Sequence, residues 1–245
     1  MSNKKLKILK VKDKAESFYT KKDTIFDLPM RVIVIGKSQL SGKSNLLTNL
    51  ILRDEFYNGD FKGDDIYIVS PSIHTDDKLV KIVDVKEIPE HNLMPVFDED
   101  CIKELYKNLE EEYRDAVNDG DRPSNKLIVF DDCSYSGSLK SKAKASIIPK
   151  IFSNGRHLNI SVVCTSQYYT DISPNSRTNI SGGIFFNCCN KQLELIERDH
   201  NYTGTKKEFM KMFRDNLGNK HSFVVVNYTN DKDSYCLNEY FEPIK

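Results

Sequence analysis

Residues 36–44 read Gly36-Lys37-Ser38-Gln39-Leu40-Ser41-Gly42-Lys43-Ser44, which satisfies GxxxxGK[ST] in full. No other stretch narrows the fold of this chain as much. The apolar run Met30–Ile35 precedes it and reads as a buried strand. NLLTNLILRDEF follows, with helical spacing through about residue 56. A strand, a glycine-containing loop and a helix in that order are the context in which the motif means phosphate binding. Glycines at 36 and 42 permit backbone that a side chain would obstruct. Successive N–H groups, aided by the helix N-terminus, can then surround phosphate oxygens. Lys43 can reach between the β- and γ-phosphates, and Ser44 can ligate Mg²⁺. The candidate nucleotide-binding set is Gly36, Lys37, Ser38, Gly42, Lys43, Ser44 and Asn45, with Lys37 a solvated or neighbouring-phosphate contact.

Further along, Asp65–Ser70 reads as a second strand ended by Pro71, followed by a polar loop and by short apolar pieces broken by Pro89 and Pro95. Ile102, Leu105, Leu109, Tyr113 and Val117 fall at spacings of three or four, which predicts a helix from about Glu99 to Val117. Lys126–Phe130 is a third strand, and Asn159–Thr165 a fourth. Gly183–Asn187 begins a fifth. A helix interrupted or restarted near Pro149 lies between the third and fourth. Residues 190–200 and 205–217 read as helices, and Ser222–Asn227 as a late strand paired with Tyr235–Leu237. This alternation predicts an α/β fold with a mostly parallel central sheet flanked by helices. Residues 1–24 form a lysine-rich N-terminal arm or edge extension. Residues 25–245 form the phosphate-loop domain with a C-terminal helical and strand extension.

LIVFDD at 127–132 supplies a second half to the site. A buried strand would place both carboxylates at its C-terminal end, where open sheets bind ligands. Asp131 is the candidate to hold Mg²⁺ through water, and Asp132 to orient or deprotonate an attacking water. About 90 residues separate the phosphate loop from this strand, and the intervening segment contains DIYIVS. That favours an extra central strand between the two motifs, the mark of a P-loop NTPase of the additional-strand, RecA-like division. No NKxD-like segment marks guanine specificity, and no acceptor-binding lid marks a small-molecule kinase. Gln167 follows the NISVVCT strand and is either a phosphate sensor that helps place water or a surface glutamine. Arg156 in NGRH and Arg177 in NSRTN are candidates to reach a nucleotide on a neighbouring subunit, where an arginine stabilises charge on the transferred phosphoryl group.

Composition bears on partners. Thirty-six basic and 36 acidic residues give no net charge, which excludes a uniformly basic static coat for nucleic acid. The charge is patchy, with a net +5 over residues 1–24 and −7 over 98–121. The basic clusters Lys140, Lys142, Lys144 with Lys150, and Lys206, Lys207, Lys211 with Arg214, are either DNA contacts or solvated faces. No stretch approaches the roughly 18 apolar residues of a membrane span, and no apolar signal segment follows the first lysines. Six cysteines without CxxC spacing, and five histidines without zinc spacing, indicate an intracellular, reduced protein rather than a disulfide or metal framework. Cys133 reads as packing rather than as a nucleophile, and adjacent Cys188 and Cys189 as reduced thiols.

The ordered set VIVIGKSQLSGKS, LIVFDDC, FSNGRHLNISVVCTSQ and PNSRTNISGGIFF, from about residue 30 to 187, resembles the viral genome-packaging ATPases of the FtsK–HerA superfamily. The similarity is greatest to the poxvirus A32-like group, and the chain has the size of a virophage member. The resemblance implies an ATP- and Mg²⁺-dependent motor that moves double-stranded DNA into a preformed capsid. It implies a homo-oligomeric ring, hexameric or pentameric, at a capsid vertex inside an infected cell, with a capsid or vertex protein as partner. It places Lys43 and Ser44 in the nucleotide loop, Asp131 and Asp132 in the acidic motif and Gln167 as sensor. Arg156 and Arg177 are the arginines of the matching segments. The second acid departs from the glutamate often found there, and no acid cluster for a nuclease is evident. A DNA-segregation or conjugation-type ATPase, or a nucleotide-regulated structural protein with weak turnover, are the alternatives.

Overall fold

A computed structural model of the chain describes residues 14–23, 25–37, 41–133, 139, 146–202 and 204–244. The core is one sheet of eight strands: β1 (Arg31–Ile35), β2 (Ile66–Val69), β3 (Leu93–Met94), β4 (Lys126–Phe130), β5 (Ile160–Ser166), β6 (Gly182–Phe186), β7 (Phe223–Asn227) and β8 (Cys236–Leu237). Their spatial order is β3-β2-β4-β5-β1-β6-β7-β8. The first six are parallel, and β7 and β8 are antiparallel to their neighbours. The helices are α1 (Lys43–Leu52), α2 (Asp77–Lys86), α3 (Glu99–Asp119), α4 (Ile147–Asn154), α5 (Pro174–Arg177), α6 (Asn190–His200) and α7 (Lys206–Asn216).

The unbroken apolar runs have a simple cause: the central strands are covered on both faces. Along β1, Ile33 and Ile35 face one core with residues of α3, α4, α6 and α7. Val32 and Val34 face the other, with residues of α1 and α2. Parallel neighbours align their C-terminal ends on one edge of the sheet, so the loops after β1, β2, β4 and β5 converge there.

Three expectations are corrected. The strand between the phosphate loop and the acidic strand is β5, whereas DIYIVS (β2) lies on the far side of β4. Residues read as loop and short apolar pieces instead form α2, which Asp76 caps at its N-terminus and a left-handed Glu87 ends. Helix α1 stops at Leu52 rather than near residue 56. The helix expected to be interrupted or restarted near Pro149 starts at Ile147, with Pro149 in its first turn, where a missing N–H costs nothing; residues 140–145 lie outside the described residues. Of the lysine-rich arm, residues 1–13 lie outside the described residues. Its described part includes a short 3-10 turn at Ala15–Phe18, with Phe18 edge-on to Tyr113 of α3.

Candidate active site

The phosphate loop leaves β1 at Gly36, whose N–H donates to the Ser166 carbonyl of β5 at 3.1 Å. A Cβ at 36 would stand 2.7 Å from the Ser41 side chain and 2.9 Å from that of Phe186, so only glycine fits. Gly42 has φ +93°, a left-handed conformation that a side chain would strain. The turn is braced by the Ser41 hydroxyl, which donates to the Lys37 carbonyl at 2.7 Å. Helix α1 begins at Lys43, whose ammonium donates to the Gly36 carbonyl at 2.7 Å. Burial lowers the Lys43 pKa, against the attraction of Asp132 and Asp131. Ser44 follows in the first turn of α1 and Asn45 is exposed, as is Lys37. Ser38 lies outside the described residues.

Asp131 ends β4 and is buried. Its Oδ1 accepts the Thr165 hydroxyl at 2.7 Å, and its Oδ2 accepts the Ser70 hydroxyl at 3.0 Å. Burial raises the Asp131 pKa, the two hydroxyl bonds oppose that, and the like charges of Asp132 and Asp76 add to it. Asp132 turns out of the strand at φ +46°, with its N–H donating to Thr165 Oγ1 at 3.1 Å. One threonine of β5 therefore holds both acids. The Gln167 amide donates to the two carboxylate oxygens of Asp132, each at 3.3 Å. Phosphate loop, paired acids and glutamine thus hang on three adjacent strands, β1, β4 and β5.

The phosphate loop and the two acids open on a cleft of about 320 Å³ lined by Lys43, Ser44, Asn45, Asp131 and Asp132. Its remaining wall includes Ser72, Asp76 and Lys78, from the corner between β2 and α2. Sequence reasoning missed these three because it missed α2. Leu79, Ile82 and Val83 behind an Asp-Asp start were the available signal. His221 was also missed: its Nδ1 is 3.3 Å from the Ser41 carbonyl beneath the loop. Cys133 is buried, with its thiol pushed up to about 12 by burial, as packing requires and nucleophilicity does not. None of the six cysteines forms a disulfide.

The two arginines lie elsewhere. Arg156 is exposed in the 3-10 turn Gly155–Leu158 that precedes β5, at the edge of the sheet opposite the phosphate loop. Its Nε is 3.3 Å from His157 Nε2. Arg177 is engaged within its own chain. Its guanidinium lies 4.4 Å over the Tyr169 ring and 3.5 Å from Asp199, with its side chain 11% exposed. The expectation that Arg177 reaches outward does not describe this conformation, because an aromatic face and a carboxylate already hold it. Among the basic clusters, Lys150 stands over the Tyr106 ring, Lys206 pairs with Glu194 and Arg214 donates to Asn190. Lys140, Lys142 and Lys144 lie outside the described residues. Among the described residues, no helix is long and apolar enough to cross a membrane.

With the geometry in place, comparison with known proteins is informative. The Poxvirus A32 protein family model matches residues 16–240. Uncharacterized protein 015R of Frog virus 3 (isolate Goorha) is 30% identical over 83 residues, 34% of this chain and 24% of that protein. The match therefore spans about a quarter of that relative's length. The genome packaging NTPase B204 of Sulfolobus turreted icosahedral virus 2, in complex with AMP, superimposes with a TM-score of 0.61 at 13% identity, covering 89% of this chain and 99% of that one. EssC (ATPases 2 and 3) of Geobacillus thermodenitrificans gives 0.58 at 14% identity, covering 89% of this chain and 40% of that one. At these identities the structural likeness establishes a shared fold, that of additional-strand P-loop NTPases.

Proposed function

Because the chain belongs to the Poxvirus A32 protein family, we propose that it is an ATPase motor that translocates double-stranded DNA into a preformed viral capsid. The observation that carries this reading is the convergence of Lys43, Ser44, Asp131 and Asp132 around one cleft at the same edge of the sheet, with Gln167 bonded to Asp132. A binding-only nucleotide site has no need of a second acid held by a glutamine.

The phosphate loop binds the triphosphate of ATP, with Lys43 leaving the Gly36 carbonyl for the β- and γ-phosphates. Ser44 and Asp131 are the groups that would hold Mg²⁺. They fit it: both are hard oxygen donors, and the Asp131 carboxylate is fixed by two hydroxyls. When bound, the cation neutralises charge on the β- and γ-oxygens. Asp132 orients the attacking water and accepts its proton, and Gln167 fixes the Asp132 carboxylate. Arg156, exposed on the opposite edge, is the candidate to act on a neighbour's nucleotide in a homo-oligomeric ring. Arg177 would first have to leave Asp199 and Tyr169. Grip on DNA comes from local basic groups, and a neutral total suits a protein that must release its track. A capsid vertex in the infected cell is the place where such a ring would work.

The test is ATP turnover with and without linear double-stranded DNA, together with the mass of the assembly under the same conditions. DNA-stimulated turnover by an oligomer is expected. A strictly monomeric chain whose turnover ignores DNA would sink the ring-motor reading and leave a nucleotide-regulated structural protein. If turnover is stimulated, mixing Lys43→Ala with Arg156→Ala subunits should restore activity at boundaries that pair an intact loop with an intact arginine.

A further inference from the structure

The corner between β2 and α2 forms a wall of the phosphate cleft that none of the motifs marks. Helix α2 begins there because Asp76 caps it: Asp76 Oδ1 accepts the Lys78 N–H at 2.9 Å. A cap of this kind needs one oxygen. The other, Oδ2, takes part in no hydrogen bond or ion pair among the described residues, although a carboxylate has about four lone-pair sites to fill. Asp76 is half-buried and lines the same cleft as Ser44 and Asp131. Its negative charge is felt at Asp131.

The corner is also held in place. The Ser70 hydroxyl that donates to Asp131 Oδ2 is 3.2 Å from the Ser72 hydroxyl, which ties the end of β2 to the acidic strand. Thr48 Oγ1 donates to the Ser44 carbonyl at 2.8 Å and lies 3.4 Å from the Lys78 carbonyl, which ties α2 to the start of α1. Asp76 therefore stands in fixed relation to both groups that would hold the cation. Asp76, Asp131 and Asp132 nonetheless do not form a direct ligand cluster for a metal ion. Lys43 and Lys78 on the same cleft offset part of the repulsion among its three carboxylates, and a hydrated divalent cation relieves the rest when a triphosphate engages Lys43. Mg²⁺ parts with water reluctantly and is often held through the waters it keeps.

We propose that Asp76 is an outer-sphere carboxylate of the Mg²⁺ site, accepting hydrogen bonds from cation-bound water on the α2 side of the cleft. The inference rests on the nucleotide–Mg²⁺ reading above and adds a positioning residue to it. Removing such a partner typically weakens metal binding about tenfold or more.

The test is Mn²⁺ affinity, read by electron paramagnetic resonance on the full chain with saturating AMPPCP, and AMPPCP affinity without metal. Asp76→Asn and Asp76→Ser both preserve a helix cap while removing the charge, so α2 is retained. Asp115→Asn, on the exposed face of α3, is the charge control. Both Asp76 variants should weaken Mn²⁺ binding about tenfold, while metal-free AMPPCP binds no more weakly than to wild type. Mn²⁺ affinity within about twofold of wild type in both variants would overturn the inference, as would weaker metal-free AMPPCP binding. If wild type binds Mn²⁺–AMPPCP and Asp131→Asn does not, but the Asp76 variants do so normally, only the role of Asp76 falls. If wild type binds no metal–nucleotide at all, the underlying reading falls with it.

Discussion

The two ends of the sheet use similar residue types to opposite effect. At the C-terminal edge, Lys43, Asp131 and Asp132 are fixed by hydrogen bonds, Asp132 by Gln167 among others, yet open on a shared cleft. Toward the N-terminal edge, Arg177, Asp199, His200, Tyr169 and Tyr228 bond mainly to one another, although all but Tyr169 also line a cavity of about 450 Å³. Tyr169 donates to Asp199 at 2.8 Å and its hydroxyl is 2.9 Å from His200 Nε2, while Tyr228 bonds the other ring nitrogen. Tyr228 follows β7, whose last residue pairs with the start of β6. A titratable group is available for chemistry when its partners leave one of its valences open. It is structural when its contacts run to other members of its own cluster, as here, although Nε and Nη1 of Arg177 have no hydrogen-bond partner among the described residues. The first cluster should therefore report through turnover, and the second through stability.

The sharpest way to break that division is Lys43→Ala. It should reduce ATP turnover about a thousandfold, the scale set by losing one preorganised charge on a developing anion, while the melting temperature stays close to wild type. An equally large loss of stability would show that the cleft is structural too. His200 tests the other side. Burial holds its pKa down to about 4 from 6.5, so the unfolded chain takes up the proton first as pH falls. The contribution is fully present above about pH 6.5 and is lost by about pH 4, amounting to about 3 kcal/mol. Chemical denaturation across that range should show the loss, and His200→Gln should flatten the slope. Next in size, Arg177→Ala should destabilise the fold by about 2 kcal/mol, since it removes a cation over Tyr169 and the partner of a part-buried Asp199. A normal melting temperature combined with lost turnover would move Arg177 to the catalytic side. The smallest effect is expected for Gln167→Ala, about a tenfold drop in kcat with KM unchanged, because its bonds to Asp132 are long and serve only to position it.

Much of this arrangement was readable from the chain. The phosphate loop, the LIVFDD strand and Gln167 are local patterns, and a strand that is apolar on both faces announces a covered parallel sheet. What escaped was non-local or ambiguous in period. Helix α2 is rich in valine and isoleucine, so its apolar pieces resembled interrupted strand, and with it went Asp76 and Lys78. The order of strands escaped because sequence separation does not say which strand inserts between two others. Here β5, which follows β4 in sequence, is the one that sits between β4 and β1. Arg177 escaped because its partners, Tyr169 and Asp199, are set by packing between α5 and α6 rather than by any motif.

One feature of the sheet bears on how copies of this chain can meet. Among the described residues its two outermost strands, β3 and β8, are each only two residues long, and β8 is bridged on its outer side by Pro243. So short an edge offers almost no ladder of free N–H and C=O groups to a visitor. If copies assemble in the proposed ring, they would join through side chains on their faces, not by running one sheet into the next. An assembly built that way can shift its contacts by small steps without unzipping a backbone.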